Sequence, residues 1–266
     1  MRKILRVLFH LGLIIFLTIL TQIGGVIYIL IALLTRRFNV QKWYARTLMF
    51  IGFYLLFSLL IVPMISPFFG RVPLPLSGNL KPLNIGTCIL NRHYVVPELK
   101  DELLTITERM NSQFAETKIN YLDANFPFIT GFPLLPHLSH NDGKKIDLAF
   151  IYTKHGEISY SAPSPIGYGI YEKPLSGEVN YPEKCNDRWQ YSLISKFVPQ
   201  TNSDSFKVDE KKTQTLVRII AESQLISKIF IEPHLKDRWR LARYNKIRFH
   251  GCHAVRHDDH IHLQTK

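Results

Sequence analysis

No aspartate or glutamate occurs before Glu98 in this 266-residue chain, and only three cysteines are present, Cys88, Cys185 and Cys252. The missing acids leave the charge of the first third of the chain purely basic. No Cys-x-x-Cys occurs, so a cysteine-built zinc site is excluded. Three thiols allow at most one intramolecular disulfide, and Cys185–Cys252 is the favoured pair because both lie in the later half of the chain. There is no internal repeat or low-complexity run, which removes solenoids and disordered arrays. The net charge of +12 suggests a nucleic-acid partner only until it is divided. Seven of the 33 Lys and Arg residues lie in the first 69 positions with no acidic counterpart, leaving 26 against 21 acidic residues in the rest. That remainder, about +5, does not argue for nucleic-acid binding.

The apolar residues are concentrated at the start. Residues 7–34 form a run broken only by His10, Thr18, Thr21, Gln22 and three glycines, and a second run extends from Thr47 to about Ile65 before Pro67. Either, as a helix at about 1.5 Å per residue, can cross a hydrocarbon core of about 30 Å. The first run is too long for the apolar core of a cleavable signal peptide, and arginines rather than small residues follow it. The expected organisation is a two-helix transmembrane hairpin in residues 1–69, with helices at about 7–34 and 47–66. A proline-rich tether at 70–84 and a domain at 85–266 follow.

Two histidine clusters carry the chemistry. The first runs from His137 through Ser139 and His140 to Asp147; the second is His257-Asp258-Asp259-His260-Ile261-His262. On a strand, His260 and His262 share a face because side chains alternate with period two. His140 on a loop and Asp147 on the strand after it would add a third imidazole and a carboxylate. Neutral imidazoles with one carboxylate can hold a divalent metal and leave a position open for water. A metallohydrolase is the leading expectation.

The order of these motifs resembles the zinc peptidases of the lysostaphin, D-Ala-D-Ala carboxypeptidase and murein endopeptidase group (LAS-type). Among these it is most similar to the penicillin-insensitive murein endopeptidases, which carry His-x-x-His before the aspartate and His-x-x-His-x-His at the second site. The stretch Ile226–His234 also resembles the family's strand before its last short helix. The resemblance covers roughly residues 85–266. It implies that His140, Asp147 and His262 are the Zn2+ ligands, with His260 and His257 beside the metal-bound water and His137 and Ser139 in the surrounding shell or against substrate. The acid/base is ranked His260, then His257, then Asp259; Asp258 and Asp259 otherwise serve to orient imidazole N–H groups. Lys145 stands where the family carries an acidic residue, and no cysteine-containing tail follows His262. Both departures concern substrate contacts.

Basic residues flank the first apolar run almost evenly, three before it and four in the 36–46 loop, so charge barely sets its orientation. The family's cell-wall substrate decides for a domain outside the cytoplasm. The expected protein is a multi-pass protein of the bacterial inner membrane with its catalytic domain in the periplasm. Its substrate would be the peptide stems or cross-links of peptidoglycan. The alternative is a non-catalytic zinc-containing binding module on the same fold.

Hydrophobic spacing predicts helices from Pro97 through Met110, over 209–223 and near 234–241, with strands at 118–122, 146–152, 228–231, 246–250 and 258–264. Six Pro and Gly residues between Pro163 and Gly177, with Tyr160, Tyr168 and Tyr171 nearby, predict a long loop at 157–187 that is a candidate substrate wall. The expected class is α+β, an antiparallel sheet with flanking helices.

Overall fold

A computed structural model describes all residues except 194, 195, 197 and 199–204. The chain is α+β, with two helices near the N-terminus long and apolar enough to span a membrane, Arg2–Thr21 and Trp43–Phe69. The first apolar run is not one helix. It divides into α1 (Arg2–Thr21) and α2 (Gly24–Arg37), and α3 (Trp43–Leu56) continues through a π turn to Phe69. The break has a local cause. Gln22 takes a φ of +67°, and Thr21 Oγ1 accepts the Gly24 N–H at 2.9 Å in place of a continuing helical bond. α2 then folds back on α1 so closely that a Cβ on Gly25 would sit 2.0 Å from Thr18 Oγ1 and 2.7 Å from the Ile14 carbonyl. Only glycine permits that approach.

Beyond the helices lies a six-stranded sheet. Its strands are β1 (Leu80–Pro82), β2 (Ile119–Tyr121), β3 (Lys145–Ala149), β4 (Ile226–Phe230), β5 (Ile247–Arg248) and β6 (His260–Thr265), in the order β5-β4-β6-β3-β2-β1. The centre is antiparallel, but β5 with β4 and β1 with β2 are parallel, so the sheet is mixed rather than antiparallel as expected. The proline-rich stretch is not a free tether. Val72–Pro73 pairs with Tyr94–Val95, Leu80–Pro82 is an edge strand, and Leu74 and Leu80 are buried. Prolines are tolerated there because an edge has unused ladder positions.

α4 (Pro97–Gln113) buries Leu99, Leu103, Ile106 and Met110, and α5 (Glu210–Glu222) buries Leu216, Val217, Ile219 and Ile220. These faces join Ile146, Leu148, Ile229, Ile261 and Leu263 in one core. Asp209 caps α5 by accepting the Lys212 N–H. The run expected as one strand at 146–152 is cut after Ala149. Tyr152–Lys154 belongs to a separate small sheet with 157–159 and 206–208. Cys185 and Cys252 are disulfide-linked, joining the 157–187 segment to the approach to β6.

The helices dock on the sheet domain through buried polar contacts. Gln22 Oε1 accepts the Phe128 N–H, Tyr54 donates to the Ile89 carbonyl, and Asn91 donates to Tyr54 and Ser58. Gly25→Ala forces a Cβ against the Ile14 carbonyl, and a cost of about 1–3 kcal/mol follows from overpacking. Thermal unfolding in detergent should show a lower midpoint for Gly25→Ala, while Gly12→Ala, which meets nothing within 4 Å, should not move it.

Candidate metal centre

The site is built by alternation on two paired strands. In the β6/β3 register His262 lies opposite Asp147, Ile261 opposite Leu148 and Leu263 opposite Ile146. The aliphatic residues face the core, which leaves His260, His262 and Asp147 together on the other face of the sheet. His140 arrives from the loop before β3. That loop is held by Arg71, whose guanidinium donates to the Phe126 carbonyl, to Thr130 Oγ1 at 3.0 Å and to the Asn141 carbonyl at 3.2 Å. Asn125 braces its far end, accepting the Gly143 N–H and donating to the Lys145 carbonyl.

Three donor atoms converge. His140 Nε2 is 3.1 Å from His262 Nδ1 and 3.4 Å from Asp147 Oδ1, and His262 Nδ1 is 2.8 Å from Asp147 Oδ1. Tetrahedral donors about 2.0–2.1 Å from a zinc ion would stand about 3.3 Å apart, so the spacing suits one small divalent ion. His140 Nδ1 lies 2.8 Å from the Ala124 carbonyl. Donating there fixes the tautomer that turns the Nε2 lone pair inward. A second set, His137, Asp147 and His260, shares the same aspartate. His137 Nδ1 is 3.0 Å from Asp147 Oδ2, and the Tyr168 hydroxyl donates to that oxygen at 2.8 Å. The buried Nε2 atoms of His137 and His260 have no hydrogen-bond partner among the described residues, and His260 Nε2 lies 3.8 Å from Asp147 Oδ1. Uncompensated ring nitrogens at such depth are costly unless a ligand meets them. This donor set can hold a metal ion.

Burial works to raise the Asp147 carboxyl, but His140, His260 and His137 outweigh it and hold it well below the usual range. Burial lowers His140, and Asp147 reverses this to a net rise. Burial takes His262 down to about 4 in spite of Asp147. For His260 burial is again opposed, by Asp259 and Asp147, and its imidazole rises to about 9. His257, buried beside His260 and His262, falls well below its ordinary value and stays neutral.

The structure brings His137, His140, Asp147, His257, His260 and His262 into one cluster, all at most 5% exposed. Asp259 lies just before β6, holding His260 Nδ1 through one carboxylate oxygen and the Gly169 N–H through the other. Asp258 pairs with Arg256. Ser139 is exposed and is not part of the cluster. Sequence reasoning missed Tyr168, the Arg71 clamp and Phe230, which stacks on His262 with centroids 5.3 Å apart. Tyr168 sat in the loop marked by Gly and Pro, but nothing in its neighbourhood singled it out from Tyr160 or Tyr171. A cleft of about 200 Å³ reaches the cluster at His137 and Tyr168, with the Arg92–Asp123 ion pair in its wall.

The purified chain should bind a divalent metal ion; Asp147→Ala, which removes the carboxylate common to both donor sets, should strip it, and His140→Ala or His262→Ala should strongly weaken it. Undiminished metal affinity in His262→Ala, or retained metal in Asp147→Ala by elemental analysis, would contradict the assignment. Metal must also displace the proton that His140 holds above its ordinary value of 6.5. Competition with a chromogenic chelator should therefore show affinity falling as pH drops into and below that range; a flat profile from pH 8 to 5 would contradict it.

No family model matches the chain, nor does any curated protein, so the chemistry of the site rests on its own geometry.

Proposed function

We propose that this chain is a membrane-anchored zinc peptidase of the LAS type, hydrolysing peptide stems or cross-links of peptidoglycan outside the cytoplasm. The observation that carries the reading is the convergence of His140, Asp147 and His262 with two further imidazoles, His260 and His257, that the trio does not need. A closed structural site requires ligands alone; extra titratable rings beside it suit proton transfer. Zinc held by the trio would supply Lewis acidity towards a carbonyl oxygen and towards water.

The protein's own residues would then do the following. Asp259 fixes His260 through Nδ1 and leaves Nε2, without a hydrogen bond and 3.8 Å from Asp147 Oδ1, to pass a proton to a leaving amine. His257, held by the reciprocal backbone and side-chain bonds between its peptide unit and Glu232, keeps its ring 4.9 Å from that of His260 and can accept a proton. Tyr168 and His137 hold Asp147 Oδ2, so the Oδ1 atom remains directed at His140 and His262. The cleft beside His137 and Tyr168 is the entry for a peptide.

A second reading has one observation in its favour. The trio is 0–3% exposed, as a purely structural metal site would be, and a non-catalytic binding module on this scaffold would retain it. Incubation of peptidoglycan fragments with the purified chain, with and without chelator, separates the two. Under the peptidase reading cross-linked fragments are lost only without chelator. His260→Ala or His257→Ala should keep zinc and lower turnover by about 10²–10⁴-fold, and Asp259→Asn by about 10–100-fold. A parent chain that binds zinc and cuts nothing leaves the binding module.

A further inference from the structure

The break at Gln22 changes where the positive charges lie. His10 Nδ1 meets the Tyr28 hydroxyl at 2.5 Å, and the Tyr28 and Phe50 rings are 6.2 Å apart. The side chains of residues 10, 28 and 50 therefore meet across α1, α2 and α3, part-way between the break and the far end of the helices. From the break at Gln22 the helical rise of about 1.5 Å per residue carries Arg2 and Lys3 about 28–30 Å along α1, and Arg36 and Arg37 about 21–23 Å along the folded-back α2, towards the same end, where Lys42 precedes α3. Arg6 and Arg46 lie about one helical turn inside that end, near the starts of α1 and α3. The contacts to the sheet domain, Gln22 with Phe128 and Tyr54 with Ile89, lie at the opposite end. No charged residue occurs between Arg46 and Arg71, and Arg71 is 2% exposed and fully engaged within the domain. All seven cations of the first 69 residues thus gather at the end away from the domain.

Between the two ends the outer surface is apolar and uncovered. Phe9, Leu11, Ile15 and Phe16 on α1 and Leu48 and Ile51 on α3 are all 46% exposed or more, while α2 buries Ile27 and Ile31. Residues 7–21 and 47–65 give a charge-free belt about 22–28 Å tall at the helical rise, near the thickness of a hydrocarbon core.

We infer that the three helices insert as one unit into a bilayer, with the cationic end in the anionic cytoplasmic leaflet. The N-terminal residues and the 36–46 loop then lie together on that side and the sheet domain lies on the other. A single helix over 7–34 would put three cations on one face and four on the other; folding it at Gln22 puts seven against none, which the positive-inside bias resolves. The inference stands apart from the peptidase reading and fails or holds by topology alone.

Full-length chains carrying Lys3→Cys, Gln41→Cys or Lys154→Cys, expressed in bacterial cells with a permeabilised outer membrane, provide the test. The parent is a suitable blank, because Cys88 is buried and the other two cysteines are joined. A membrane-impermeant maleimide should label the Lys154→Cys chain in intact cells, and the Lys3→Cys and Gln41→Cys chains only after lysis. Labelling of the Lys3→Cys and Gln41→Cys chains from opposite sides restores the two-helix hairpin and overturns the inference. So does labelling of all three from one side, or release of the parent by alkaline carbonate. Adding Arg36→Gln, Arg37→Gln, Lys42→Gln and Arg46→Gln to the Gln41→Cys chain should expose that site in a sizeable fraction of intact cells. Unchanged protection would show that charge does not set the orientation. Either topology can be read whether or not the chain cuts peptidoglycan.

Discussion

The pairing of β6 with β3, in the register that sets His262 against Asp147, is the constraint on which the rest depends. One ladder separates two chemistries by alternation. Ile261, Leu263, Ile146 and Leu148 go to the core against α4 and α5, and His260, His262 and Asp147 go to the site. A slip of one residue would send the imidazoles into the core and the aliphatic residues out. The hydrophobic effect that stabilises the domain therefore also fixes the metal-binding geometry.

Burial gives the cluster its character. Asp147 stays ionised in a fully enclosed place because His140, His260 and His137 surround it and the Tyr168 hydroxyl donates to it. The same enclosure drives His257 and His262 towards neutrality while Asp259 keeps His260 basic. Neighbouring histidines with opposed proton affinities are a starting point for proton transfer. A bound divalent ion would add positive charge and push all of them further towards the neutral form that ligation requires.

The supports of the site reach far along the chain. Arg71 pins the 126–141 loop, Gly169 and Tyr168 of the 157–187 segment hold Asp259 and Asp147, and the Cys185–Cys252 bond ties that segment to the approach to β6. The segment read from the sequence as a candidate wall thus contributes a side chain to the site itself. The helical unit is joined to the same framework, since Gln22 bonds the backbone at Phe128, two residues from the Phe126 carbonyl that Arg71 holds.

Whatever depends on local covalent pattern was legible in the sequence. The 3.6-residue spacing marked α4 and α5, Pro97 and Asp209 marked their starts, and the charge-free runs marked the apolar helices. His-x-His on a strand was enough to place two imidazoles on one face. The break at Gln22 begins in a local cap, Thr21 on the Gly24 N–H, but the course of the fold-back was decided by tertiary structure, which packs α2 against Thr18 and Ile14 and supplies a docking partner at Phe128. It also decided that the proline-rich stretch joins the sheet, that Ser139 stays outside, and that Tyr168 and Arg71 belong to the site. Each of these rests on contacts that reach beyond a residue's near neighbours, from 7 to more than 100 positions along the chain, or on the lack of one. Composition and periodicity report only what a residue's near neighbours require; which distant backbone carbonyl or carboxylate satisfies a buried donor is set by the packing of the whole chain.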